Sequence, residues 1–385
     1  MNDAFDILFN WPDSFDHGPA ADDAFLKAMQ TAFTHHYRDS EIYRNICEHA
    51  GFSMSDLESI VDLPRIPWLL VDVFKWYHLT SVPEDQIVIT FTSSGTTGQK
   101  SHTAWDQGSF DRQTAMRRRI MESYRLVDPH PVNYICFSYD QQTASHRGAA
   151  YAHSAYTTFA PAHEIFFAIH PGPGGEPAFD ADECLDVLRR FEHQSYPLRI
   201  TGFPAFAWRT LKAIETDGRP LHFAPESLVI HGGGWKTMAD EAVTPDVYAT
   251  AVEKWLGIPP SRVRDIYGFV EHGVPYVTCE RGSFHVPVFS RIFVRKPGTL
   301  DLLPEGETGL LHAVAPYNWA QPALSIVSTD YVQLQSGCPC CRKGQTMKLL
   351  GRAGVRKHQG CALTAAELLD RTKTVQKAGA TVGAK

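Results

Sequence analysis

The chain has no apolar run long enough to cross a bilayer. It has no basic excess either: 36 Lys and Arg stand against 43 Asp and Glu, a net charge of -7, which argues against nucleic acid as a main partner. An amino-terminal secretory segment is not evident, because Asp3, Asp6, Asp13 and Asp16 interrupt that stretch. Cysteine is sparse, eight in 385 residues, and with no secretory segment that count suits reduced thiols used in metal binding or catalysis rather than disulfides. The expected location is the cytoplasm. Internal repeats and low-complexity tracts are lacking too. What is left is a globular composition, 43% hydrophobic and 21% charged, in a chain long enough for one large domain or two ordinary ones.

One stretch organises the rest. Phe91 to His102 reads F-T-S-S-G-T-T-G-Q-K-S-H, and the β-branched run Gln86 to Phe91 before it predicts a strand. Gly95 and Gly98 let the backbone fold so that N–H groups converge on an anion. Ser93, Ser94, Thr96 and Thr97 offer hydroxyl donors, and Lys100 adds charge. This order of residues suits a cradle for phosphate. It is not the Walker pattern, which needs glycine directly before the lysine; Gln99 stands there.

Around the cradle the chain alternates. Residues 1–60 read as mostly helical, with His35 and His36 as packing or surface residues. Pro64 and Pro67 predict an extended approach to the cradle strand. Ser109 to Tyr124 reads as a helix whose Arg117, Arg118 and Arg119 form a solvated face. Strands are expected at 134–138, 159–169, 198–202 and 228–231, Arg264 to Glu271 reads as a strand running into a glycine, and helices are expected at 181–192, 205–217 and 245–255. Cys184 falls on the apolar side of its helix. The alternation argues for α/β layers. Gly232, Gly233 and Gly234 after a short apolar strand let a flat ring approach the backbone.

The order of pieces carries a resemblance. The cradle is followed by Gly-Gly-Gly-Trp, then Tyr267-Gly268-Phe-Val-Glu271, Ser328-Thr-Asp330 and Gly351-Arg352. Over roughly residues 60–370 this is similar to the adenylate-forming superfamily of acyl-CoA ligases and adenylation domains. Within it the chain most resembles the acyl-protein synthetase branch, through Pro67…Phe74-Lys75, S-S-G-T-T-G with a following Ser-His, G-G-W-K and a late Gly360-Cys361; phenylacetate-CoA ligases are the nearest other branch. The fold the resemblance implies is α/β, a large adenylation domain over 1–350 and a short extension, 351–385, in place of the superfamily's mobile carboxy-terminal domain. With 34 residues after Gly351, that domain is expected to be missing or reduced to a stub, and its adenylation lysine is not assigned; Lys357 stands near the hinge position.

The resemblance also implies roles. Ser93, Ser94, Gly95, Thr96, Thr97 and Gly98 would hold the phosphates of ATP, assisted by Lys100. Gly233, Gly234 and Trp235 would flank adenine, and Tyr267 and Gly268 would complete the adenine and acyl pocket. Glu271 would hold Mg2+, Asp330 would accept from the ribose hydroxyls, and Arg352 would contact ribose or phosphate. The usual proline before the cradle lysine is Gln99, and the usual threonine before the glutamate is Val270. Phe203, Phe206 and Trp208 suggest an apolar or aromatic acid.

Two further features stand out. Cys279 and His285, with Cys338, Cys340 and Cys341 far downstream, make a tetrahedral zinc site plausible, and phenylacetate-CoA ligases carry a similar pattern. Which two of the three late cysteines bind is open from spacing; Cys338 and Cys340 are favoured, in a structural role. Cys361 follows a glycine, precedes a predicted helix at 364–371 and lies near Arg356, Lys357 and His358, a setting that lowers a thiol pKa. In acyl-protein synthetases a late cysteine takes the acyl group as a thioester, and a reductase partner then removes it. The expected function is therefore an ATP-dependent acid ligase that forms an acyl-adenylate and then a thioester on Cys361. Transfer to CoA, a carrier protein or an amine, and a non-catalytic nucleotide-binding protein, are the other readings.

Overall fold

Helices open the chain where apolar residues recur at helical spacing. In the computed structural model, which describes residues 3–92, 101–139, 155–172, 177–235 and 240–352, α1 is Asp3–Phe9, α2 Pro19–Asp39 and α3 Glu41–His49. Pro19 sits in the first turn of α2, where its missing N–H costs nothing. Phe25, Met29 and Phe33 bury one stripe of that helix, and His35 and His36 are buried with them. The helix stops at Ser40, whose extended backbone caps α3 instead.

Residues 63–65 depart from the extended approach expected from Leu63 on. Ile60–Arg65 winds as a 3-10 helix with Pro64 inside, because the Ser59–Asp62 pair closes a capping box that starts a turn. Only then does β1, Leu69–Leu70, run out, followed by the single turn α4, Val73–Trp76. Strands β2, Ile87–Thr92, and β3, His102–Asp106, pair antiparallel, with Thr92 opposite His102. Asp106 then caps α5, Gln107–Ser123, by accepting from the backbone N–H groups of Gly108 and Ser109. Arg118 lies on the exposed face as expected, but Arg117 is buried, since its place on α5 falls beside Met116, Gln113 and Ile120 on the inner face.

Next come β4, Val132–Tyr139; β5, Ala162–Pro171; β6, Pro177–Ala178; α6, Ala181–Gln194; β7, Leu198–Gly202; α7, Pro204–Asp217; β8, Leu228–Gly232; α8, Pro245–Leu256; and β9, Val263–Tyr267. The remainder is sheet: β10, Tyr276–Val277; β11, Phe284–His285; β12, Arg291–Arg295; β13, Leu302–Leu303; β14, Thr308–Val314; β15, Ser325–Ser336; and β16, Gln345–Arg352.

Two compact units result. One is built from 3–92, 101–127 and 266–352, the other from 128–265. In the second, strands lie in the order β8-β7-β4-β5-β6, with β4 parallel to both β5 and β7, and β7 parallel to β8. Helix-linked parallel strands need cover on both faces, and β4 is buried along its whole length. Cys184, Phe206, Leu211 and Val252 pack the helices onto that sheet, Cys184 on the apolar side expected of it. In the first unit an antiparallel sheet runs β11-β16-β15-β14-β12-β13, with β1 parallel to β15. Among the described residues no helix is long and apolar enough to cross a membrane. The α/β layering expected from the alternation is what the chain adopts.

Candidate functional site

Ser93 to Gly98, Lys100, Lys236, Lys357 and Cys361 lie outside the described residues. Of the other expected site residues, several converge in the sheet-rich unit. Asp330 on β15 stands directly opposite Arg352 on β16. Residues opposed across an antiparallel ladder project from the same face, and the Arg352 Nε donates to Asp330 Oδ1 at 3.0 Å. The Tyr267 hydroxyl donates to Asp330 Oδ2 at 2.7 Å, and Ser328 Oγ to the same oxygen at 3.3 Å. The Asp330 N–H in turn donates to Ser328 Oγ at 3.0 Å. Asp330 is thus a buried carboxylate held by three donors from three stretches of chain. Burial, and then the Asp330 charge, push the Tyr267 phenol well above its ordinary pKa, so it stays a donor.

Tyr267 ends β9. The strand runs into Gly268, as expected, and gives way to a turn: the N–H groups of His272 and Gly273 both donate to the Phe269 carbonyl, at 3.2 and 2.9 Å. Gly273 has φ +69°, and a Cβ there would lie 2.0 Å from the Tyr317 hydroxyl oxygen. Only glycine fits that turn. The turn places Glu271 inside the unit, where Ser101 Oγ donates to Oε1 at 2.6 Å. Burial raises the Glu271 carboxyl pKa; the Ser101 bond and the positive charges of Lys75 and Arg352 oppose that rise.

A second cluster occupies the same unit. Donor atoms of Cys279, His285, Cys338 and Cys340 all lie within 4.8 Å of one another. Cys279 and Cys338 sulfurs are 3.8 Å apart, and Cys340 Sγ is 3.1 Å from His285 Nε2. A tetrahedron with metal–sulfur bonds of about 2.3 Å has sulfur–sulfur edges of about 3.8 Å, so three sulfurs and one nitrogen at this spacing fit zinc. The third late cysteine is separate: Cys341 is exposed, with φ +66°. Short strand β11 positions His285, and a turn closed by the Cys341 N–H on the Cys338 carbonyl at 3.0 Å positions the cysteine pair.

The remaining expected residues belong to the parallel-sheet unit. Gly232 ends β8, and Gly233 and Gly234 follow with φ +80° and +66°. Trp235 packs against Trp208 and Tyr248, ring centroids 6.0 and 6.2 Å away. Phe203, Phe206 and Trp208 are buried in the core of that unit. Gly268 follows Tyr267 directly, and a Cβ there would make only ordinary contact with the Val274 carbonyl oxygen at 3.6 Å.

Ser101 carries part of the resemblance, in the Ser-His after the cradle, but the sequence assigns it no role. Its partner is 170 residues away, and no spacing in the chain announces such a pair. The Tyr267 phenol as a donor to Asp330 was likewise invisible until the turn was seen.

Likeness to known proteins sharpens this geometry. The fold matches solved 2-hydroxyisobutyryl-CoA ligase. One structure of it, in complex with 2-HIB-AMP and CoA in the thioesterification state, gives a TM-score of 0.67 at 17% identity, covering 91% of this chain and 72% of that one. An open conformation of the same ligase gives 0.65 at 17% identity, over 87% and 70%. The fold is therefore that of the adenylate-forming ligases. Residues 13–370 match the family described as acyl-protein synthetase, LuxE, and the chain belongs to that family. A long-chain-fatty-acid–luciferin-component ligase of Vibrio harveyi is 25% identical over 88% of this chain and 86% of its own length. A phenylacetate-coenzyme A ligase of Pseudomonas putida is 24% identical over 85% and 70%. With the family goes the reaction class, ATP-dependent, AMP-forming ligation of a carboxylic acid.

Proposed function

We propose that the protein activates a long-chain or aromatic carboxylic acid as its acyl-adenylate and then transfers the acyl group to its own Cys361. In the first step a carboxylate oxygen attacks the α-phosphorus of ATP, the acyl–phosphate bond forms, and pyrophosphate leaves. In the second the Cys361 thiolate attacks the acyl carbon, a thioester forms, and AMP leaves. A phosphoryl centre needs positioning and charge neutralisation more than covalent help from the protein. Ser93 to Gly98 and Lys100 supply donors to the phosphates, Asp330 and Arg352 hold the ribose, and Gly233, Gly234 and Trp235 face the base. Glu271 is the carboxylate for Mg2+, which when bound neutralises phosphate charge; a buried carboxylate with one oxygen tied to a hydroxyl suits a hard cation. Cys279, His285, Cys338 and Cys340 hold a structural zinc ion. A reductase is the partner that would remove the acyl group.

The observation that carries the reading is Asp330. A buried carboxylate ringed by Tyr267, Ser328 and Arg352, in a chain of the acyl-protein synthetase family, is a bidentate acceptor suited to a ribose diol. The acid class rests on the name of the Vibrio harveyi relative and on the aromatic residues above. The test is acid-dependent ATP–pyrophosphate exchange across a panel of fatty and aryl acids, with labelled acid followed on the protein. Exchange with label on wild type, and exchange without label on Cys361→Ser, is the expected pair. Label that persists on Cys361→Ser, or acyl-CoA formed with no labelled protein, would overturn self-acylation.

A further inference from the structure

Strands β2 and β3 make an antiparallel hairpin, with Thr92 opposite His102. Ser101 comes directly before β3, and it is fully buried. What fixes it lies beyond the hairpin. The Gln321 side chain donates to the His102 carbonyl at 3.1 Å and accepts from the Ala104 N–H at 3.3 Å, while Asn318 Nδ2 donates to the Ala104 carbonyl at 3.3 Å. These two buried amides satisfy the main chain of β3 as a neighbouring strand would.

Glu271 is fixed from the same side. Tyr317 closes over Gly273, and Gln113 Nε2 donates to the Gly273 carbonyl at 3.3 Å. Residues 317–321 therefore hold both ends of the Ser101–Glu271 bond: Tyr317 the turn that carries the glutamate, Asn318 and Gln321 the strand that follows the serine. A bond between two independently anchored groups is pre-organised, and its distance, 2.6 Å, suits a hydroxyl on a carboxylate.

We infer that Ser101 is the positioning residue that aims Glu271 at the cation accompanying the nucleotide, and so ties the last residue of the phosphate cradle to the metal site. The inference rests on the role given to Glu271 above. A serine hydroxyl has one proton to give, so its bond sets the carboxylate rotamer while leaving other lone pairs to the cation. Outer partners of this kind orient a metal-binding carboxylate without touching the metal, and their loss weakens metal binding about 10- to 100-fold.

The experiment reads binding rather than turnover. Mn2+ stands in for Mg2+, and its affinity for the protein with α,β-methylene-ATP is measured by electron paramagnetic resonance on wild type, S101A, S101T, S101C, E271Q and the S101A/E271Q pair. Circular dichroism checks that each variant is folded. Expected are a loss of about tenfold or more in S101A, a similar loss in S101C, whose thiol is a weak donor, retention in S101T, and no further loss when S101A is added to E271Q. Wild-type affinity in S101A or in S101C, or an equal loss on adding S101A to E271Q, overturns the inference. If S101A does not fold, S101C and S101T decide it alone. If wild type binds no Mn2+ with the nucleotide, the adenylate-forming reading fails and takes the inference with it. Wild-type binding lost in E271Q but kept in S101A sinks only the inference.

Discussion

At the scale of single residues the site depends on two things, a carboxylate and a missing side chain. Asp330→Asn keeps the shape of the carboxylate and removes its charge, leaving Arg352 and Tyr267 with one good acceptor fewer. Hydrogen bonds to charged groups are worth about 1.5–3 kcal/mol, so kcat/KM for ATP should fall by roughly 10- to 100-fold, with the KM for acid little changed; steady-state pyrophosphate release measures both. Gly273→Ala acts on stability. Its Cβ would meet the oxygen of the fully buried Tyr317, and its φ of +69° already disfavours any side chain. The cost should be on the order of 3 kcal/mol or more by urea denaturation. Gly218→Ala is the control: the same handedness, φ +79°, but open space around the Cβ, and a cost of about 1–2 kcal/mol. If the two variants lose equal stability, the contact with Tyr317 is not what demands glycine at 273.

At the scale of elements, legibility follows locality. Leu198–Gly202 and Pro204–Asp217 could be read directly, because a β-branched strand, a glycine and a proline in the first helical turn are all local signals. The 3-10 helix at Ile60–Arg65 could not, since two prolines pointed to extended chain while a single Ser59–Asp62 capping box decided the matter. Arg117 was misread for a similar reason: three consecutive arginines look solvated, yet a helix sends neighbours to different faces. Strand β9 runs into Gly268 as expected, but the turn after it, set by Gly273 and by Tyr317 from afar, has no local signal. The cysteine cluster was half legible. Spacing named its members, but only the turn with Cys341 at φ +66° separates that thiol from Cys338 and Cys340. Loss of a metal there should unfasten β11 from β16, whose pairing runs through His285 opposite Thr346. About one zinc per chain is expected by elemental analysis, and strong chelation or Cys338→Ser should lower the thermal midpoint by about 5 °C or more. A metal-free protein with an unchanged midpoint would remove zinc from the account.

At the scale of the whole molecule, the units are assembled from segments far apart in the sequence. A boundary at 350 is what a sequence can suggest; a unit assembled from 3–92, 101–127 and 266–352 depends on long-range pairing that no local signal carries. That assembly has an electrostatic consequence. Imidazoles bury where distant segments close on one another, and they bury neutral. His36 lies between Ser81 Oγ at 2.7 Å and the Asn318 carbonyl at 2.9 Å, and burial drives its pKa from 6.5 to about 3. His312 accepts from the Arg295 Nε at 3.0 Å, and burial, then that guanidinium, hold its pKa well below 6.5. For both, the unfolded chain takes up a proton near pH 6.5 that the folded chain refuses, so acid favours unfolding. Stability should be complete above about pH 6.5 and fall as pH drops toward about 3, by up to about 1.4 kcal/mol per pH unit for each histidine. Capped carboxylates such as Asp56 and Asp62, lowered from 3.8 by their hydrogen bonds with Ser53 and Ser59, protect only above that value and lose their contribution below it. The interval from pH 6.5 to 5 therefore leaves those two carboxylates out of the balance. Denaturant midpoints across that interval should show net proton uptake on unfolding, and His36→Gln should reduce the uptake by about one proton. A profile flat from pH 8 to 5, or one that His36→Gln leaves as steep, would mean that these rings are not held neutral by the fold.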